Sequence, residues 1–568
     1  MDREFNLIDE PWICVRDNGC EVKEISIRQV FEHAQEYTEL AGETKTQDMA
    51  VLRFLLAMIY TVFSRYDKNG DEVDPEDDIN YLTDNWIEVF RSGKFPMKPF
   101  EKYFEKWYDR FWLFDEEYPF YQSLSVLKQI KENNWEKEKF RDNTKLIGTM
   151  IKSGNKPLLF CNRSGDNNIL AYSEASRWLL HSVLFDDRAI KASKYDFEKN
   201  KSNNNDSSNV TIGCNLGMIS LKGENLFKTL MMNYVADIDD ISEITEKPAW
   251  EREKENIGLY EFKRQIPVPD NQAEMLTVMS RNIYLIRNAS AVIGCYIFAG
   301  DYFDQNDTFN ELMTLWKTSK KNGKEIIEPC LHDASAKSWQ EFGMIAKCCE
   351  SDNNNERFPG VVNWAEKLIY KNYLDAKSLL TISCAGIVYD YNDKKSLKIL
   401  DMISDELSFH SDLLMKVGEA WRYRIKNEIG KCESAANAVN RLSINLQKSA
   451  GASGDKLSGE DAKTQFYSMI DKPFRDWLSR LDTSYDIDEY TGKIEDTVRK
   501  IAIGFGNDRI HQMRANTIFG RYEKESNDDK ASKRRKKSYE KNRLTSAEAL
   551  NIFYDEIYRI FKKEGDNK

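Results

Sequence analysis

The side chains that could cut or transfer are few and poorly grouped. His332-Asp333 is an isolated pair, and only five histidines serve the whole 568-residue chain. A catalytic metal would need more imidazole and carboxylate partners around such a pair. His332 is therefore expected in a loop role. His181 lies beside Trp178 and Leu179 on an apolar helix and is expected to be a core histidine with a satisfied ring. The acid pairs Asp186-Asp187, Asp239-Asp240 and Asp528-Asp529 read as solvated caps or loops. No GxxxxGK[ST], GxSxG or HExxH string occurs. That removes a Walker-type phosphate cradle, a hydrolase elbow and a zincin helix. The ten cysteines contain no CxxC pair, so neither a zinc site nor a disulfide framework is expected. No catalytic residue, metal ligand or cofactor is assigned. One enzymatic alternative stands: a metal-dependent nuclease acting on DNA through His332-Asp333 and nearby acids.

The chemistry the residues do offer is phosphate recognition. Lys530, Lys533, Arg534, Arg535, Lys536, Lys537, Lys541 and Arg543 crowd one stretch against a single acid, Glu540. In a loop, such a run could follow phosphates and release their counterions. Those contacts would position DNA without reading its sequence. The same run also fits a solvated linker. The whole chain carries a net charge of −12. A free-standing non-specific DNA binder is usually basic, so any nucleic-acid contact is expected to be local or shared with basic partners.

The elements that must carry these residues divide in two. A length of 568 residues, 41% hydrophobic and 12% aromatic, supports two or three domains with sizeable cores. Residues 5–15 read as two short strands joined at the corner Asp9-Glu10-Pro11, an N-terminal hairpin, because Pro removes a ladder donor. Ile25-Ser26-Ile27 reads as a third strand, with a helix starting at Val30-Phe31. Residues 47–64 form a buried helix by the spacing of Val51, Leu52, Leu55, Leu56 and Ile59. Its apolar stretch around 54–63 is shorter than the roughly 18 residues of a membrane span. With a charged N-terminus lacking an apolar signal core, this sets the expectation of a soluble, cytoplasmic protein. Further along, a helix is expected over 173–185, strands near 281–286 and 326–327, and a polar insertion over 199–209. The mixture lacks a regular βαβ rhythm.

The C-terminal third changes character. Four apolar stripes at helical spacing read as a four-helix bundle. The first is Leu414, Val417, Trp421, Ile425 and Ile429, with Ser411 as its cap. The second runs from Phe466 to Leu481 with Pro473 as a kink, and the third is Ile494, Val498, Ile501 and Phe505. The fourth, Leu550, Phe553, Ile557, Ile560 and Phe561, is opened by the capping box Thr545…Glu548. The fold class is thus α+β: a large mixed α/β domain over 1–400 followed by a four-helix bundle over 401–568, with the basic run between its third and fourth helices.

Several strings resemble the CasA family, the large subunit of the type I-E CRISPR surveillance complex (Cascade). They are residues 5–15; Leu40-Ala41-Gly42-Glu43 with Gln47 and Ala50-Val51-Leu52-Arg53; Tyr118-Pro119-Phe120-Tyr121-Gln122; Lys247-Pro248-Ala249-Trp250-Glu251; Leu276-Thr277 with Ser280-Arg281; Met313-Thr314-Leu315-Trp316; and Leu331-His332-Asp333 before Trp339. The resemblance implies the two-domain architecture above and a non-catalytic role in antiviral defence. In that role the subunit docks near the 5′ handle of the guide RNA (crRNA) beside other Cascade subunits. It recognises the protospacer-adjacent motif (PAM) in double-stranded target DNA, starts strand separation and recruits a helicase-nuclease. No membrane is involved. Minor-groove and shape readout with an unstacking wedge would be the physics, and guide pairing would supply the remaining sequence information.

The resemblance also implies site residues. Phe160 and Asn162 match the family's first recognition loop: Phe can stack or wedge, and Asn can pair with a base or backbone edge. Phe160 could equally anchor the strand before the loop. The family's glycine-rich PAM loop falls near 188–192, where this chain has no glycine; Lys191 could substitute with a phosphate contact. The family's wedge falls on a hairpin after Cys384-Ala385-Gly386. The tip here is Asn392-Asp393-Lys394-Lys395-Ser396, without glutamine. Asn392, Lys394, Lys395 and Ser396 are the nucleic-acid candidates there, and an ordinary charged tip is the alternative. Lys317 corresponds to the family's lysine finger, with Lys320, Lys321 and Lys324 competing. Arg534, Arg535, Lys536 and Lys537 complete the set. A structural scaffold with no part in PAM discrimination is a third reading.

Overall fold

The first two strands of the protein do not pair with each other. In the computed structural model, which describes residues 3–74, 81–150, 169–186, 211–237, 246–252, 265–303, 310–348, 357–389, 399–452, 457–513, 517–518 and 544–562, β1 (Glu4–Asn6) and β2 (Ile13–Asp17) belong to different sheets. β2 lies between β3 (Val22–Ile25) and β4 (Tyr37–Leu40), whereas β1 pairs with β5 (Trp112–Phe114). The expected N-terminal hairpin is therefore absent. Its corner explains why. Leu7 and Ile8 are fully buried, and an Asx-type turn bends the chain there, with Ile8 N donating to Asn6 Oδ1 at 3.0 Å. Pro11 offers no donor for a return ladder. The corner plugs the core, and the two strands leave it in different planes.

The strand expected over 25–27 lies earlier, over Val22–Ile25. Ser26 accepts from Gln29 N, and Gln29 Oε1 accepts from Ser26 N at 3.0 Å. This capping box starts α1 (Ile27–His33) three residues before the expected helix. α2 (Lys45–Phe63), capped by Thr44, is the central helix, with every residue buried except Lys45 and Asp48. It is longer than the apolar stretch read from sequence, and its length and hydropathy would suffice to cross a bilayer. However, 94% of its most apolar window is buried inside the protein, as for the core helix of a globular unit. Even Arg53 is enclosed, held by two 2.8 Å bonds to the carboxylate of buried Glu311. Breaking such a pair from one side costs about 3–5 kcal/mol.

Against α2 packs α3 (Tyr172–Phe185), and the remaining strands among the described residues are β6 (Arg141–Asp142), β7 (Met218–Lys222), β8 (Arg281–Asn288), β9 (Ala291–Ala299), β10 (Leu315–Lys321), β11 (Lys324–Cys330), β12 (Leu379–Tyr389) and β13 (Ile399–His410). They form three sheets, ordered β6-β9-β8, β10-β11 and β13-β12-β7. The pairs with a resolved register are all antiparallel. Aromatic side chains close the core: Phe54 meets Trp12, Phe120 and Trp250 with ring centroids 5.3–5.8 Å apart.

The chain divides into two compact units. One comprises Met1–Ala334, Cys349–Leu374 and Leu380–Glu406; the other comprises Ser335–Cys348, Asp375–Leu379 and Leu407–Lys568. The second unit is a helical bundle of α4 (Glu419–Ser449), α5 (Glu460–Ser479), α6 (Ile487–His511) and α7 (Ser546–Ile560). α4 packs against the other three. α5 continues through Pro473 as one helix, and the capping box at Thr545 and Glu548 opens α7. Ser411 does not cap α4. Its hydroxyl donates to Asp375 O at 2.7 Å, two short 3-10 turns follow, and Gly418 stands at the cap position. Val417 is exposed, and the buried stripe passes through Glu428 instead of Ile429. The segment from Ser335 adds Trp339, stacked on Phe474 at 4.2 Å with its Nε1 donating to Asp471.

Candidate nucleic-acid interface

In the first unit Lys317 lies on one hairpin, and the strands of a second flank residues 390–398. β10 and β11 are joined by Asn322-Gly323, both at positive φ (53° and 77°). A two-residue turn of this kind matches the right-handed twist of the strands. It sets the register: Lys321 faces Lys324, and Lys317 faces Glu328. Lys317 is half-exposed with its Nζ 3.5 Å from Glu328 Oε1. Lys321 reaches the other oxygen of the same carboxylate at 2.7 Å, and Lys320 sits 3.5 Å from Glu325. The Lys321 hydrogen bond, with both lysine charges, holds Glu328 below the usual carboxylate range. Lys317 is thus a shared cation. To meet a phosphate it would exchange one anion for another, and exposed ion pairs of this kind are worth only about 0–1 kcal/mol.

The hairpin is rooted firmly. Leu315 and Trp316 are buried, and the Arg357 guanidinium lies over the Trp316 ring at 4.2 Å. Leu315 N donates to Gly217 O, and Gly217 N donates to Cys330 O. A Cβ at residue 217 would come within 2.4 Å of that carbonyl, so this close approach requires glycine. His332 belongs to the same root. It is buried in the loop after β11 with Nε2 3.0 Å from Met218 O, the loop role its sequence suggests. His181 is fully buried, 3.1 Å from Thr46 Oγ1 and edge-on to Trp178, and is a core histidine as read from sequence. Asp186 is no solvated cap: it is fully buried and pairs with Arg281 Nε at 2.7 Å. Among the described residues no three His, Cys, Asp or Glu side chains are grouped to hold a metal ion.

The second hairpin is formed by β12 and β13, with β12 also paired to β7. Its strands bracket residues 390–398, which include Asn392, Lys394, Lys395 and Ser396. Those four, with Phe160, Asn162, Lys191, Arg534, Arg535, Lys536 and Lys537, lie outside the described residues. Lys317 and its competitors Lys320, Lys321 and Lys324 are the nucleic-acid candidates that fall within the described residues. Sequence reasoning missed Glu328, the partner of Lys317, and the Arg357 brace. The Asn-Gly turn was the available signal, because counting outward from it places Glu328 opposite Lys317.

Comparison with known proteins bears on the fold and the family. The family described as CRISPR-associated protein Cse1 matches residues 6–504. A CasA/Cse1 protein of Thermus thermophilus is 32% identical over 183 residues, 32% of this chain. The matched stretch spans about a third of that relative's own length (32%). Cse1 of Thermobifida fusca superimposes with a TM-score of 0.78 at 22% identity, over 98% of both chains. A chain of a CRISPR RNA-guided surveillance complex does so with a TM-score of 0.65 at 13% identity, over 98% of this chain and 100% of that one. At these identities the superpositions speak for the fold alone. The family match runs from β1 through most of α6, across both units, and on that span the chain belongs to the CRISPR-associated Cse1 family.

Proposed function

We propose that this chain is the non-catalytic large subunit of a type I-E CRISPR RNA-guided surveillance complex. In this reading it works in the cytoplasm beside the guide RNA and other Cascade subunits. It recognises the PAM in duplex DNA, helps to start strand separation and recruits the helicase-nuclease. The observation that carries the proposal is the family match over residues 6–504. The hairpins support it. The lysines of β10–β11 are suited to phosphate, and β12 and β13 bracket the segment with Lys394 and Lys395. The acidic net charge of −12 fits a subunit that contacts DNA within a larger basic assembly.

The test is reconstitution with the guide-RNA complex. PAM-containing duplex should bind tightly only when this chain is present, and a duplex lacking the PAM should not. Replacing Lys394 and Lys395 by Ala should weaken that binding, by about 2- to 10-fold for each lost contact. A complex without this chain that still discriminated the PAM would overturn the reading. So would Mg²⁺-dependent DNA cleavage by the purified chain that disappeared in His332→Ala.

A further inference from the structure

The β10–β11 ribbon sorts its charges by face. Successive strand residues alternate between faces, so the register puts Lys317, Lys321, Lys324 and Glu328 on one face and Lys320 and Glu325 on the other. The second face is balanced, with Lys320 3.5 Å from Glu325. The first is not: three lysines stand there against one carboxylate. Lys321 and Lys324 lie directly opposite each other beside the turn, and a like-charge pair in that position destabilises a ribbon. A chain of net charge −12 thus gathers cations on one face at a cost that an anionic ligand would relieve.

Glu328 is placed to compete with such a ligand. Its Oε1 lies 3.5 Å from Lys317 Nζ and its Oε2 2.7 Å from Lys321 Nζ. The lysine side chains are 50% and 57% exposed and the carboxylate 20%, so the anion lies beneath cations that reach water. The hydrogen bond from Lys321 holds Glu328 below the usual carboxylate range, and the group is a full anion at neutral pH. One carboxylate bridging two ammonium groups through separate oxygens makes the charge-assisted bonds that a phosphodiester would make with its two free oxygens. Ion pairs this exposed are weak, so a phosphate can displace Glu328, but only by leaving the carboxylate without its cations.

We propose that Glu328 is an internal substitute for phosphate: it occupies Lys317 and Lys321 until a nucleic-acid backbone phosphate displaces it, and so limits how tightly the β10–β11 ribbon binds. The exchange needs only a phosphodiester; that this belongs to PAM-bearing duplex rests on the function proposed above. The displaced carboxylate must regain a cation from solution, which cancels part of the counterion release that drives phosphate binding.

Glu328→Gln tests it by removing the charge and keeping the shape. Glu325→Gln makes the same change of charge on the other face and is the control. With the free full-length chain at low salt, duplex DNA lacking a PAM should bind Glu328→Gln about 2- to 10-fold more tightly than wild type. The slope of log affinity against log salt should steepen by about 1 or less, and Glu325→Gln should stay close to wild type. Equal gains in the two variants, or no gain in Glu328→Gln, would overturn the proposal. In a Lys317→Ala, Lys321→Ala background the gain should largely vanish; a gain that persisted in full would show that Glu328 does not act through these lysines and would also overturn it. Should Glu328→Gln lower the melting temperature, Glu328→Thr, a neutral strand former, must give the same gain, and its failure to do so would count against the proposal equally. In the reconstituted complex, Glu328→Gln should tighten PAM-duplex binding by a similar factor. If the wild-type complex discriminates the PAM and Glu328→Gln binds no tighter, the ribbon's part in duplex recognition falls. If the wild-type complex itself fails to discriminate, the proposed function falls, and the free-chain comparison still judges Glu328.

Discussion

Glu246 is a carboxyl group with almost no water around it. It accepts from Ala273 N at 2.6 Å, and burial pushes its pKa up to about 8. An unfolded chain loses that proton near pH 4.5, so between about 4.5 and 8 unfolding releases a proton. Stability contributed by the protonated group is intact below that window. It falls by about 1.4 kcal/mol per pH unit as pH rises through it. Glu246→Gln should flatten this dependence. Urea unfolding at several pH values between 5 and 8 checks it, and parallel slopes for wild type and variant would refute it. Lys317 makes the opposite kind of prediction. Removing it leaves Glu328 paired with Lys321 at 2.7 Å, so Lys317→Ala should cost under about 0.5 kcal/mol of stability. In the assembled complex it should reduce the slope of log affinity against log salt by about 1. An unchanged slope would remove Lys317 from the DNA contact. Composition alone could flag Lys317 as a cation, but its sharing with Lys321 became visible only with register. Asp186 reads as solvated because nothing local announces Arg281, 95 residues later.

Elements were legible where the signal was local. α2 follows from its apolar spacing, and α7 from its spacing and capping box. Thr545→Ala should therefore destabilise the bundle by about 1 kcal/mol. The urea midpoint of the helical signal measures this, and a midpoint equal to wild type would mean that the box contributes nothing. The start of α4 was not legible. Ser411 is a good cap type, but its hydroxyl is claimed by Asp375, 36 residues upstream. Apolar spacing along α4 points to Ile429, yet the helix buries Glu428, which is bonded to Lys431 at 2.9 Å. Lys431 is bonded in turn to Glu495 of α6. A polar residue made buriable by cations from its own helix looks like surface to any hydrophobic count.

At the scale of the whole molecule, charge is distributed against its sum. A chain of net charge −12 carries seven Lys or Arg residues between positions 533 and 543. Reversing Arg534, Arg535, Lys536 and Lys537 to Glu should weaken duplex binding by the complex, most at low salt, and leave PAM preference unchanged. Competition between duplexes with different PAMs measures this, and an altered ranking would show that the run reads sequence. A change from mixed patterning to helical stripes, expected at residue 400, was visible. The recruitment of Ser335–Cys348 and Asp375–Leu379 to the bundle was not, because it depends on contacts such as Trp339 on Phe474. The split between β1 and β2 has a consequence in time. β2 can find β3 and β4 within a few dozen residues of chain, but Glu4 pairs with Phe114 and Arg3 bonds to Asp115, 112 positions on. At about 5–20 residues per second on the ribosome, β1 waits roughly 5–20 s for β5, its one sheet partner among the described residues. β1 is thus tied down well after β2 has been able to find β3 and β4.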